Sequence, residues 1–400
     1  MKKLFTLLVP LSLLSGYMGC TKYGNDLNIS EYDAEADTNN HSLGSLFRPL
    51  ENKSAESFDV DNIIEDIKTL ELKTPMHLGY FNKIALGSDG DVFAMNEEGV
   101  YRFSARGEFK YQCGKSGRND DEYFSLQDMA IDEAAGTILI LDAMNKVLFF
   151  DYKSGRFVKS VTLDWKGDVL RSDAIMPNES DGGFYIFSAK LTKKEIDLNR
   201  YCIHQFNEKG VKVAQGLPCD DFVLDVCPVT QSFRNRYLIN PVGKESTVWE
   251  TKVGEFKALY GIDFGKGSLK SKLAYQTRGE IDIHNLLMSD SYKMITNVRD
   301  TEDYITFVVC GPEAKSYEYV YSKKNGKNIC LTAPDGYAFP VWFQASDDDY
   351  FYTIYRRTDM EGLDERACPV SKYLAERLGV IPEKDRPLLV GIKFNFDDLP

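Results

Sequence analysis

From about Phe58 onward the chain is built of short apolar runs of strand length separated by turn residues. The runs at 67 to 73 (IKTLELK), 83 to 95, 99 to 114, 129 to 142, 146 to 163, 182 to 190, 201 to 215, 304 to 311 and 350 to 357 carry β-branched and aromatic residues, and several alternate apolar with polar. Alternation with period two places one set of side chains on one face of a strand, and runs of this length fit strands better than helices. Many are joined by Asp-Gly, Ser-Gly, Lys-Gly or Asn-Gly, whose residues tolerate the positive φ angles of tight hairpins. The pattern predicts a series of antiparallel meanders. Two segments read as helical inserts, 279 to 292 and 371 to 387; in the second, Tyr373, Leu374 and Leu378 share a face before Gly379.

One unit recurs. GVYRFSARGEFKYQCG from Gly99, KVLFFDYKSGRFVKSVTL from Lys146 and YCIHQFNEKGVKVAQG from Tyr201 share an aromatic position, a polar turn, a glycine and a second apolar strand. The turns ahead of them sit near Gly90, Gly136 and Gly182, a spacing of 46 residues, which falls within the range of four-stranded propeller blades. Less regular units run over 233 to 269, 291 to 332 and from Phe339 to the C-terminal RPLLVGIKFNF. The expected fold is therefore all-β, a six-bladed β-propeller of four-stranded antiparallel blades. IKTLELK has no blade of its own, so as an N-terminal strand it is expected to pair with the last blade and close the ring, removing a free sheet edge.

The segment QCGKSGRNDDEY, 112 to 123, contains Gly-Lys-Ser but is not a phosphate-binding loop. Phe109 stands where that motif needs its first glycine, and turn residues replace the helix that should follow. With the following strands it instead resembles the exported six-bladed β-propeller lipoproteins of Gram-negative bacteria, related in fold to NHL and TolB-type propellers. The resemblance rests on Gly114, Gly117, Glu122 and Tyr123, then Ile131-Asp132, Leu141-Asp142, and Asp151 with Gly155. It is strongest from about Ile67 to Leu163 and at the C-terminus. Where that family has Gly-Pro-Gly, this chain has Asn119-Asp120-Asp121.

The first twenty residues have two lysines, an apolar stretch and small residues before Cys20, the layout of an export signal. Gly19-Cys20 resembles a lipobox, with Tyr17 in place of the usual leucine, so Cys20 is the expected lipid attachment site. Residues 21 to 57 are polar and aperiodic and read as a flexible tether, leaving 58 to 400 as the propeller. The expected address is the cell envelope, on the periplasmic or surface side, with membrane contact through the lipid only. Cys219 and Cys227 flank a short loop that a disulfide could close.

Composition sharpens this reading at two points. Tyr (23) and Phe (24) far outnumber Trp (3), a balance that favours strands. The net charge of -13, without a Lys/Arg-rich run, argues against nucleic acid as a partner. No motif points to a nucleotide or other cofactor. The chain lacks G-x-S-x-G, and SDGD at 88 to 91 lacks the spacing of a calcium loop. Of its four histidines, His41 falls in the tether and His204 within a strand. His77 and His284 remain for a mixed His/carboxylate metal site, the basis of an alternative reading as a hydrolase or lyase acting on an extracellular polymer or lactone. The favoured expectation is non-catalytic: a ligand-binding or scaffolding protein with a glycan, peptide or partner protein at the channel mouth. Its candidate ligand-binding residues are Lys115, Arg118, Asp120, Asp121, Glu122, Tyr123 and Trp342, where aromatic rings would stack and charged groups would fix hydroxyls.

Overall fold

The computed structural model describes residues 30–31, 45–49, 60–74, 78, 80–167, 171–178, 182–219, 223–224, 226, 228–232, 236–243, 247–252, 255–267, 283–332, 341–355, 369–378 and 386–396. Six antiparallel sheets follow one another along the chain. Blade 1 comprises Lys83–Leu86, Val92–Met95, Val100–Phe103 and Phe109–Cys113; blade 2, Leu126–Asp132, Thr137–Asp142, Lys146–Asp151 and Phe157–Thr162. Blade 3 holds Ala174–Asn178, Gly183–Phe187, Tyr201–Phe206 and Lys212–Pro218; blade 4, Val229–Gln231, Tyr237–Ile239, Thr247–Lys252 and Glu255–Ile262. Lys293–Asp300, Tyr304–Cys310, Ser316–Ser322 and Asn328–Cys330 form blade 5. Blade 6 takes Ala345–Ser346, Phe351–Tyr355 and Leu388–Phe394 from the end of the chain and Ile64–Glu71 from its beginning. The expected ring closure is thus present, with Leu389 opposite Leu70 and Ile392 opposite Ile67.

Burial follows position in the blade. Middle strands are sandwiched between neighbouring sheets and read as continuous apolar runs; Gly183–Phe187 is buried at every residue. Outer strands such as Phe157–Thr162 stay largely open to solvent. The apolar clusters accordingly lie between blades, as where Leu70, Phe81, Ile84, Phe103 and Tyr352 join blade 6 to blade 1.

The innermost strands are tied together by polar groups. Asp128 of blade 2 accepts from the ammonium of Lys83 in blade 1 and from the Ile175 N–H of blade 3, at 2.9 Å for the latter. Arg299 of blade 5 donates to the carbonyls of Gln231 in blade 4 and Phe343 ahead of blade 6, both at 3.2 Å. The Gln231 amide crosses the axis to blade 1, accepting from Leu86 N–H and donating to its carbonyl, each at 3.1 Å. That crossbar spans the channel at the end where Leu86 and Gln231 finish their strands.

One expectation changes. Part of the supposed tether is docked: Ser45–Phe47 lies parallel to the outer strand of blade 4, and Ser30–Glu31 along that of blade 3. Phe47 is 2% exposed, with its ring 5.2 Å from Tyr260 and 4.4 Å from Tyr321, so it joins blades 4 and 5. An outer edge offers unpaired backbone groups to any extended segment, and an aromatic anchor then fixes the register. Among the described residues the helical inserts are Ile283–Met288 and Pro369–Leu378; the second ends just before Gly379, as expected, with Val370 and Leu374 buried. A further helix, Lys193–Leu198, begins in a capping box between Thr192 and Glu195.

The closing strand approaches blade 1 closely at Gly107, whose carbonyl accepts from Lys73 N–H at 2.8 Å. Gly107 has φ 77°, and a Cβ there would collide with the Glu71 carbonyl; Gly136 has φ 65° and open space. Gly136→Ala is expected to cost about 1 kcal/mol, the left-handed backbone penalty alone. Gly107→Ala adds the collision and is expected to cost about 3 kcal/mol or more. Denaturant midpoints of the two variants measure the difference.

Candidate functional site

Blades 6 and 1 do not meet flush along their whole depth. A groove of about 700 Å³ runs between them, on the face that carries the turns 87–91 and 104–108, from the closing strand at Lys68 to the channel mouth at Gln231. Leu70, Leu86, Val92 and Leu389 provide apolar walls, and the turn at Asp347, Asp348 and Asp349 forms one bank. The Gln231 crossbar forms the inner end. Lys68 Nζ sits 3.1 Å from Asp347 Oδ2 and 3.7 Å from the centroid of the Tyr350 ring, so carboxylate and aromatic face hold the ammonium together. Tyr352 donates its hydroxyl to Asp347 as well. Burial alone would raise the Asp347 carboxyl, but the Tyr352 hydroxyl, backbone N–H groups and Lys68 outweigh it and hold it below the usual carboxylate range. Ser346 borders the same groove, but it pairs with Phe351, which packs toward blade 5, so its buried Oγ lies on that side of the sheet and not in the groove.

Most residues singled out from sequence lie on the opposite face. The segment 114 to 125 leaves the outer strand of blade 1 and enters the inner strand of blade 2 on the side away from the groove. Within it Glu122 turns inward, accepting from the N–H groups of Arg118 at 2.9 Å and Asn119 at 3.0 Å, with Lys115 Nζ at 3.2 Å. These donors, the Asn119 backbone first, pull the carboxyl down to about 2. Tyr123 is buried and donates its hydroxyl to the Glu98 carbonyl at 2.7 Å. Gly117 leaves the space that Glu122 fills, and Gly114 (φ 63°) packs against Tyr123 and Phe150. Glu122 and Tyr123 therefore knit the crossing together, while Lys115, Arg118, Asp120 and Asp121 face solvent. Arg118 lies 5.8 Å from the ring of Phe124, which is 55% exposed. Trp342 is half-buried at φ 58° ahead of the inner strand of blade 6, on that same opposite face but in another sector.

Cys20, His77 and Cys227 lie outside the described residues. Cys219 is a free thiol donating to the Arg200 carbonyl at 3.0 Å. His284 is exposed on its short helix, and among the described residues no three His, Cys, Asp or Glu side chains are grouped to hold a metal ion. His204 is fully buried beside Trp165, and burial holds its pKa well below the usual value, so it is neutral. Sequence reasoning missed the groove because its two banks, 68–70 and 346–352, are far apart in the chain. The one available signal was the closing strand, which necessarily brings residues near 70 beside the last blade.

Residues 48–393 match the family described as Domain of unknown function (DUF4934). No curated protein matches the sequence. Among solved structures, the fold is similar to that of a Bacteroides fragilis protein inferred to be exported, at 16% identity over 88% of this chain and 99% of that one, with a TM-score of 0.68. A structural-genomics protein of unknown function from Bacteroides thetaiotaomicron is 14% identical over 60% of this chain and 58% of that one, with a TM-score of 0.36. Streptogramin B lyase is 10% identical over 71% and 80%, with a TM-score of 0.40. The first likeness shows the fold alone, and the other two carry no argument about activity.

One strongly perturbed carboxyl lies away from any groove. Glu318, 1% exposed between blades 5 and 6, accepts from Val341 N–H at 2.7 Å, and burial pushes its pKa up to about 8. Such shifts often mark catalytic acids, but Glu318 is walled in by its own sheet and the segment ahead of blade 6. Its folded pKa exceeds the unfolded value, so its contribution to stability is full below about pH 4.3 and is lost as pH rises through about 8. Glu318→Gln is expected to flatten that decline between pH 5 and 9, read as denaturation midpoint against pH.

Proposed function

We propose that this chain, which belongs to the DUF4934 family, is an exported propeller, lipid-anchored at Cys20, that binds its ligand without transforming it in the groove between blades 6 and 1. The observation that carries this reading is the groove itself. It is a recess of about 700 Å³ at the channel mouth, apolar along its walls, with a few convergent polar groups. Recesses of that size and lining are the usual form of small-ligand sites. The ionised groups support binding over chemistry: Lys68 and Asp347 hold each other, and Lys393 holds Asp349 at 3.3 Å. Ser88 donates its hydroxyl to Glu133, but among the described residues no imidazole lines the groove to take a proton near neutral pH.

Export and anchoring rest on the N-terminal signal and Gly19-Cys20, and the inferred export of the similar Bacteroides fragilis protein agrees with them. The likeness to NHL and TolB-type propellers remains part of this proposal. A second surface, on the opposite face, suits a partner protein. Ala143 N–H donates to the Ser125 carbonyl, which brings Phe124 beside Met144, 64% exposed, on the loop that presents Arg118, Asp120 and Asp121. Exposed apolar pairs rimmed by charge are common in such interfaces.

Glycan and peptide arrays probed with residues 21–400 test the groove reading. Ala105 is exposed on the blade 1 bank, so Ala105→Trp fills the groove without disturbing the core. A ligand found on the arrays is expected to lose at least about tenfold in affinity with Ala105→Trp, one displaced contact set of roughly 1.4 kcal/mol, and nothing with Asp120→Asn/Asp121→Asn. The reverse pattern would move the site to the opposite face.

A further inference from the structure

We infer that the outer rim at the junction of blades 2 and 3 rests on the bilayer surface, a second membrane contact beside the lipid at Cys20. This contact rests on the reading of Cys20 as the lipid anchor and adds the face that the anchor presents to the membrane. Chain length comes first. Val60, where the propeller begins, lies 40 positions after Cys20, a reach of about 140 Å at full extension that allows any orientation. Docking removes that freedom. Ser30 and Glu31 pair in parallel with Ala214 and Gln215 on the outer strand of blade 3, and Phe47 is fixed between blades 4 and 5. Ser30 lies ten positions after Cys20, a reach of about 35 Å. The rim beside Ala214 is therefore held close to the lipid.

That rim is apolar where the anchored segment reaches it. The turn 207–211 of blade 3 packs against the end of the blade 2 outer strand: Asp164 N–H donates to the Gly210 carbonyl at 2.8 Å, and a Cβ on Gly210 would meet the Thr162 carbonyl at 2.6 Å. Lys159 Nζ donates to the Glu208 carbonyl at 2.9 Å across the same join. The outer strands Phe157–Thr162 and Lys212–Pro218 thus follow one another along the rim, with Phe157, Val158 and Val213 each more than a third exposed. Val213 directly precedes Ala214, the partner of Ser30. Exposed apolar residues scattered singly need no explanation. Here three of them lie beside the point where the chain arrives from its lipid.

Charge points the same way. The chain carries a net charge of -13, yet residues 151–167 and 207–213 together hold six Lys or Arg against three acids, Asp151, Asp164 and Glu208. Lys153, Arg156, Lys166 and Lys209 are exposed. A basic, apolar rim on an acidic protein suits anionic phospholipid headgroups, with Phe157 and Val158 entering the interface and the basic stems lying along it. The patch is small, but a surface tethered this near the bilayer meets it at high effective concentration, so a contact too weak to hold a free protein becomes populated. The groove between blades 6 and 1 lies two blades round the ring from this junction, clear of the bilayer and open to its ligand.

Tryptophan fluorescence tests the contact on protein purified from a membrane fraction and reconstituted in vesicles of phosphatidylethanolamine and phosphatidylglycerol, with brominated acyl chains as the quencher. Val158→Trp and Ala105→Trp place an indole at the rim and at the groove, both on exposed positions, and the parent chain supplies the baseline. Bromination is expected to lower the added emission of Val158→Trp about twofold and to leave that of Ala105→Trp unchanged. Lys153→Glu/Arg156→Glu should weaken the quenching. So should Gly and Ser residues inserted to double the segment from Cys20 to Ser30, which lowers the local concentration about threefold. A merely structural rim would respond to neither change. Equal quenching at both positions, or none at Val158→Trp in vesicle-bound protein, would overturn the contact while leaving the anchor in place. An emission change at Val158→Trp that follows protein concentration and not bromination would assign the rim to a second copy and overturn it too. If the mature protein's mass includes no acyl chain, the anchor at Cys20 falls, and the contact falls with it.

Discussion

Pairing of Ile64–Glu71 with Leu388–Phe394 joins strands about 320 residues apart, and the rest of the molecule depends on it. Closing a loop of that length costs on the order of 5 kcal/mol in chain entropy. The pairing persists because it completes blade 6 and lets blades 6 and 1 bury the cluster around Leu70, Phe81, Tyr101 and Tyr352. An unclosed ring would leave one open sheet edge and two half-covered sheet faces. The same strand supplies Lys68, Thr69 and Leu70 to the groove, so the contact that closes the fold also builds one bank of the site.

Closure also explains why the centre is polar and the interfaces apolar. Six inner strands converge with their ends near the axis, where backbone groups lack sheet partners and must find others. Asp128, Arg299 and Gln231 supply them from neighbouring and opposite blades. The Gln231 crossbar is a consequence of that need, and it turns an open channel into a floor on which a ligand could rest. The opposite face is organised differently: there Glu122 is spent on holding the crossing from blade 1 to blade 2, and the charges at Arg118, Asp120 and Asp121 are left to solvent.

The strands, their period and the closing strand were legible because a propeller repeats one local pattern, and because the turn after the inner strand carries a glycine at φ 65° to 79° in the first three blades, at Gly90, Gly136 and Gly182. The frame Gly114, Gly117, Glu122, Tyr123 was legible as a unit, but its purpose was not. Periodicity cannot say whether a glutamate points at a ligand or at its own backbone. Docking of Ser45–Phe47 was hidden for a different reason: three residues in a polar context carry no period, and their partners Tyr260 and Tyr321 lie more than two hundred residues away. The groove was hidden because it belongs to no single blade. Its polar groups come from Lys68 on the closing strand and from an acidic turn, 347 to 349, that reads in sequence as an ordinary hairpin.

The central claim is that the seam made by ring closure is where this propeller meets its ligand. Crystals of residues 21–400 soaked with a fragment library of amines, carboxylates and polyols test it most directly. The expected result is fragments bound in the groove between blades 6 and 1, against Leu70, Ala105 or Leu389. Fragments gathered at Arg118, Phe124 and Met144, with the groove empty across the library, would contradict it.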